Sequence, residues 1–414
     1  MRTVIRAALL AVLAAAARAG DLVEISVPQM GALYRWDPSS GQLTPFCTGL
    51  GIPFYGVWAA DGFLYMPDRG FGIVWKIDEA GHALPFAAGG ALSSVVTVVQ
   101  APDGGLIASD VFTESIVRLD AAGKQTLLAD HASSGGLLSA PGGMCYDLDG
   151  TLYVSNNTGN SIASVDDQTG ATALVSDGQG LLDRPGGVTA DGAGNLFVAN
   201  YGNTGIARIR VEDGLAETFC DDAALVLPND VRVLPDGGVR VTTGTGILGV
   251  IDALGQLTVL ASDGSFGEWD GNVSQSDLPP CSGRYVKYGT GLAGSGGVLP
   301  ELRAVFSPCP GASVALEMRH ILGDAQGALA WGLSPAALPF KGGTLLVSLG
   351  PPGGLIPMVF PGTGPGGGGL VLPFTFPDDP LLAGVSVWLQ VLAKDPGAPK
   401  GVSLSNGLEE RIGA

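Results

Sequence analysis

PGGMCYDLDGTLYVSNNTGNSIASVDDQTGATALVSDG, from Pro141 to Gly178, is followed by a second version of itself, PGGVTADGAGNLFVANYGNTGIARIRVEDGLAETFC, from Pro185 to Cys220. Each begins at a proline-glycine pair, runs through an apolar stretch into a turn carrying Asp-Gly or Ala-Gly, and continues as three short runs separated by turn residues. Strand-length runs punctuated at such intervals predict an antiparallel meander. A third copy starts at Pro228, two more start at Pro53 and Val96, and Leu22 to Gly49 matches the second part of the unit. Turn aspartates recur at Asp61, Asp103, Asp149, Asp191 and Asp236, and acidic residues after the third strand at Asp37, Asp78, Asp120, Asp166, Glu212 and Asp252.

The period is about 43 residues, the size of a four-stranded β-propeller blade. A lone twisted sheet cannot bury both faces, whereas successive sheets around an axis cover one another. The fold expected is therefore all-β, a six-bladed β-propeller over residues 21–283. The amino-terminal copy lacks an innermost strand, which ring closure must supply from between Ser265 and Tyr288; Arg284 to Tyr288 is the segment this reading selects. An open solenoid would need capping elements that the sequence does not offer.

Composition agrees. The 414 residues include 66 glycines and 28 prolines, which disfavour long helices, and 46% are apolar, enough for a substantial core. The formal charge of -18 argues against nucleic-acid or anionic-membrane partners. From Gly20 to Gly283 there are 31 acidic and 10 basic residues, against 8 of each from Arg284 onward, which predicts two domains. Residues 284–297 read as a linker and 298–414 as a small β-sandwich, with strand-like runs at Leu302 to Ser307, Ala312 to Met318, Ala328 to Leu333, Thr344 to Val347, Leu370 to Phe376, Val385 to Leu392 and Val402 to Ile412.

Residues 1–19 carry Arg2 and Arg6, an apolar run too short to span a bilayer, and Ala17-Arg18-Ala19, the pattern of a secretory signal peptide. The expectation is an exported protein, secreted, periplasmic or at the cell surface, with no transmembrane segment. Export permits disulfides, and five cysteines leave at least one outside an intramolecular pair. Cys281 with Cys309 is the pairing this reading favours. Cys47 and Cys220 fall in non-neighbouring blades, and Cys145 reads as a small buried hydrophobe.

The copies from Pro141 and Pro185 resemble NHL repeats in their proline-glycine start, Asp-Gly turn, strand ending in Asp or Asn, and Ile-x-x-hydrophobic-Asp strand. Related six-bladed families are the gluconolactonase and senescence-marker proteins, the paraoxonases and the streptogramin lyases. The tail, with YGTG near Tyr288, DDPLLAGVSVWLQ and LSNGLEERIG, is similar to small carboxy-terminal domains of exported planctomycete proteins. Attachment to the cell surface is the role its terminal position suggests.

The gluconolactonase resemblance implies a divalent cation, Ca or Mg, near the axis, held by Glu, Asn and Asp side chains that suit a hard ion and able to polarise an ester carbonyl. Pro228-Asn229-Asp230 matches that family's Pro-Asn ligand. Its Glu-Gly-Pro motif has no counterpart near Pro53, and the other blade starts carry glycine. The residues by themselves read Asn229 and Asp230 as turn formers at a strand start. Strand ends offer Asp68, Asp110, Asn156 and Asn200, as ion-coordinating oxygens or as recurring turn devices. No Gly-x-Ser-x-Gly elbow is present, and the three histidines, His82, His131 and His320, match no catalytic pairing. The function expected is a binding module for an unknown protein or small-molecule ligand, non-enzymatic and without a firmly implied cofactor. The alternative is a metal-dependent lactonase or arylesterase using Asn229 and Asp230 with Asn156 or Asn200.

Overall fold

The structure, a computed structural model, describes residues 23–234, 237–262, 271–274 and 283–413, with backbone alone for 271–274. The signal-like segment, the turn residue Asp236 and Cys281 lie outside the described residues. The protein is all-β: its helical elements, among the described residues, are three-residue 3-10 turns. No helix among them is long and apolar enough to cross a membrane. The chain divides into two compact units, one holding the described residues from Val23 to Leu234 and Gly238 to Ser274, the other Gly283 to Gly413.

Six four-stranded antiparallel sheets are described in the first unit, one per repeat. The fourth is representative: Pro141–Tyr146, Leu152–Asn156, Ser161–Val165 and Thr172–Ser176 pair in order. In the first sheet the innermost place is taken by Gly271–Ser274, which pairs with Val23–Val27 and so joins the end of the unit to its beginning. This corrects the expectation placed on Arg284 to Tyr288. Arg284–Tyr288 pairs with Val402–Arg411 in the other unit, so it is neither the closing strand nor part of a linker.

Burial follows position within each sheet. Second strands such as Leu64–Asp68, Leu106–Asp110 and Leu152–Asn156 are buried throughout, while outer strands such as Gln125–Asp130 are exposed or half-buried at all but one position. Strands covered on both faces need apolar or small residues at every position, whereas outer ones need them only at every second. Apolar clusters run from sheet to sheet: Val57 and Tyr65 with Val98 and Val117, Ile107 and Ile116 with Met144 and Val154, Tyr153 and Ile162 with Val188 and Val198. Another cluster carries Leu248 of the sixth sheet against Ile25 and Trp36 of the first.

The second unit has three layers. Its five-stranded sheet runs Arg284–Tyr288, Val402–Arg411, Ser386–Lys394, Ala325–Gly332, Gly354–Phe360. The three-stranded sheet of Glu301–Val305, Ser313–Ile321 and Gly368–Thr375 shares a core with it through Leu302, Leu316, Met318, Leu329, Phe360 and Val391. A hairpin, Pro335–Phe340 with Gly343–Val347, packs Leu345 and Val347 against Ala330, Leu392 and Leu404 of the five-stranded sheet. Successive strand residues point to opposite faces, so Val391 and Leu392 serve these two cores separately.

Candidate functional site

The residues that end the second strands act as clamps on the incoming loop. Asp68 accepts hydrogen bonds from the backbone N–H groups of Gly51 (2.6 Å), Ile52 (2.8 Å), Gly70 (2.9 Å) and Phe71 (3.2 Å), and from Trp75 Nε1 (2.9 Å). Asp110 accepts from the N–H groups of Ser93, Ser94, Phe112 and Thr113. Asn156 accepts from Ser139 N–H (3.1 Å) and donates to Ser161 Oγ (3.2 Å). Asn200 accepts from Asp183 N–H (3.3 Å) and donates to the Leu181 carbonyl (3.0 Å). All four clamps are buried, and each grips a loop residue 17 positions upstream. A buried acceptor with this many backbone donors fixes the loop and satisfies part-buried N–H groups.

The innermost strands begin in a repeated irregularity. Pro141 pairs with Asn156 and the register then slips before Met144; Pro185 and Pro228 show the same slip. The residues just before these prolines, Ala140, Arg184 and Leu227, have left-handed φ values of 46°, 48° and 52°. Each bulge re-aims the chain at a blade start.

The glycines there have a steric cause. A Cβ on Gly143 would lie 2.6 Å from the Gly186 carbonyl oxygen, and one on Gly187 would lie 2.0 Å from Asp230 Oδ1 and 2.8 Å from its Cα. Neighbouring inner strands approach too closely for any side chain, so glycine stands where a ligand-bearing residue was sought. Ser109 and Ser155 donate to the carbonyls of Gly142 (2.7 Å) and Gly186 (2.5 Å), tying each second strand to the next sheet. Tyr55, from the second repeat, donates its hydroxyl to the Asn229 carbonyl of the sixth at 3.1 Å, and its backbone N–H to Val96. Tyr55 therefore links the second repeat to the third through its backbone and to the sixth through its hydroxyl.

Beside that bridge lies a cavity of about 400 Å³ lined by residues of the second to sixth repeats, including Phe54, Tyr55, Arg69, Arg184, Tyr201 and Asn229. Arg69, Val111, Asn157 and Tyr201, each following a clamp residue directly, all line it. The clamp stays Asp or Asn from repeat to repeat while its neighbour changes chemistry, so a constant device presents a variable surface.

Of the four candidate ligands, Asn229 lines this cavity, whereas Asp230, Asn156 and Asn200 do not. Asp230 is buried, with Oδ2 3.6 Å from Arg232 Nε. Among the described residues, no three of His, Cys, Asp and Glu form a group of the kind that holds a metal ion. His82 pairs with Asp78 and His131 with Glu114, both outside the cavity. Arg69 and Arg184 were not singled out in the sequence; the available signal is that they break the repeat beside positions that keep it.

Cys309 is disulfide-bonded, while Cys47, Cys145 and Cys220 are free and buried; the expected partner Cys281 lies outside the described residues. Burial pushes the Cys47 thiol up to about 11, which leaves it protonated and unreactive at neutral pH.

No protein-family model and no curated protein matches the chain. Solved structures do. A chain of a crystallised nidogen/laminin complex matches with a TM-score of 0.52 at 15% identity, covering 61% of this chain and 97% of that one. A gluconolactonase from Xanthomonas campestris matches at 0.49 and 19% identity over 61% and 87% of the two chains, and virginiamycin B lyase from Staphylococcus aureus at 0.42 and 14% over 87% and 94%. The nidogen/laminin match shows the fold of a β-propeller protein, and the fold by itself assigns no activity.

Proposed function

We propose that the six sheets are the blades of one ring, closed by Gly271–Ser274, and that this ring is a non-enzymatic binding module of an exported protein, taking a protein or small-molecule ligand at the cavity beside Tyr55. The second unit, in this reading, is a β-sandwich extended by a hairpin layer, and it serves cell-surface association. The observation that carries the binding role is the Tyr55 hydroxyl on the Asn229 carbonyl. That contact already engages the backbone of Asn229, and the strand-end oxygens of Asn156 and Asn200 already accept from loop N–H groups, which supports a role other than ion coordination. The nidogen/laminin neighbour belongs, by its description, to a protein complex, which is in keeping with a propeller that binds protein.

The competing reading is a Ca- or Mg-dependent lactonase or arylesterase using Asn229. Calorimetric titration with each ion, paired with turnover of lactones and aryl esters, separates the two. The binding-module reading requires neither stoichiometric ion uptake nor turnover. Ion binding abolished by Asn229→Ala, accompanied by hydrolysis, overturns it.

A further inference from the structure

Resting on the binding-module reading, the cavity's own chemistry names a ligand class. The first unit is strongly acidic, yet the residues lining this cavity include two arginines and no carboxylate. Most other basic residues of that unit have a carboxylate partner: Arg35 with Glu24, Lys76 with Asp61, Arg118 with Asp103, Arg208 with Glu217 and Arg210 with Asp213. Arg69 has none within ion-pair reach among the described residues. Its Nε donates to Ser94 Oγ at 3.2 Å, and its guanidinium lies 5.7 Å from the Phe54 ring centre. Arg184 lies 5.2 Å from the ring centre of Tyr201 and reaches only Asp183, at 3.9 Å, with both side chains half exposed. A contact that long, in water, binds the guanidinium weakly.

An arginine resting near an aromatic face keeps N–H donors in a planar fork, the arrangement that takes a carboxylate through two parallel hydrogen bonds. Asn157 and Thr158 add neutral hydrogen-bonding side chains to the same wall, and Val96 and Val111 add apolar surface. The volume is that of an ordinary small-ligand site.

We propose that this cavity binds a carboxylate-bearing ligand through Arg69 and Arg184. The carboxylate can belong to a free polycarboxylic acid or to an acidic peptide segment. Calorimetry on the full chain with tricarballylate and with tetraglutamate distinguishes these sources, with inorganic phosphate and tetralysine as controls. One or both carboxylate probes bind at a single site. Arg69→Gln and Arg184→Gln each weaken that binding about tenfold or more, with unchanged circular dichroism, and Arg184→Lys falls between. The proposal is overturned if neither carboxylate probe binds at millimolar concentration, if binding is equal in the Arg69→Gln/Arg184→Gln double variant, or if phosphate binds and the carboxylates do not. Tetralysine binding unaffected by both arginine substitutions also overturns it while leaving a binding module in place. Failure of the binding-module reading itself appears in the ion and ester assays, which do not involve these arginines.

Discussion

In the first unit, Asp68 and Asp110 are fully buried and accept five and four hydrogen bonds; in the second, Glu410 is as deeply buried and its Oε1 has no partner. The repeat supplies the difference. A carboxylate at a strand end meets the backbone N–H groups of two loops, so burial comes with donors. Glu410 sits inside Val402–Arg411, where the backbone donors are taken by Arg284–Tyr288 and Ser386–Lys394. Burial alone then pushes its acid up to about 8. One unit buries carboxyl groups among the N–H donors of its loops, and the other buries one whose Oε1 has no partner.

The sharpest way to break that contrast is to remove a clamp. Asp68→Ala leaves five part-buried donors without their acceptor, and we expect a loss of about 4 kcal/mol in denaturant unfolding of the full chain. A loss below about 1 kcal/mol would mean that the loops hold themselves.

Glu410 makes the opposite prediction. Its acid is raised in the fold, so the native state binds the proton more tightly than the unfolded chain does. Stability is greatest below the ordinary value of 4.5 and is lost as pH rises toward about 8. Glu410→Gln should flatten this decline and raise stability near pH 8 by about 4 kcal/mol. Stability of the native chain that rises over this interval, with no change in slope on substitution, would assign the proton elsewhere.

The smallest expected effect is at Tyr55. Tyr55→Phe removes one hydrogen bond to the Asn229 carbonyl and keeps the ring, costing about 1 kcal/mol. A cost several times larger would show the hydroxyl to be a structural linchpin; none at all would show the carbonyl to be hydrated.

The repeated part of the fold was readable because each repeat states its strands again, so a weak pattern in one copy is reinforced by the others. The second unit states each strand once. Pro335–Phe340 and Gly354–Phe360 were missed because Pro335, Pro339 and Pro357 interrupt them, and Arg284–Tyr288 was assigned to the wrong partner because its pairing with Val402–Arg411 spans more than a hundred residues. At the candidate site, repetition pointed the same way. The recurring Asp68, Asp110, Asn156 and Asn200 could be read as ion-coordinating oxygens or as turn devices, their recurrence favouring the second, and their side chains hold loop N–H groups. Arg69 and Arg184 gave no repeated signal, since a ligand-facing residue has no reason to recur around the axis.

The central claim, that the strand-end amides and carboxylates are structural, is tested most directly by thermal melting of the wild type and Asn156→Ala with and without calcium. The account predicts a melting point lowered by the same amount in both conditions, with calcium leaving the wild type where it was. A wild type that calcium stabilises, and a variant that calcium does not, would contradict it.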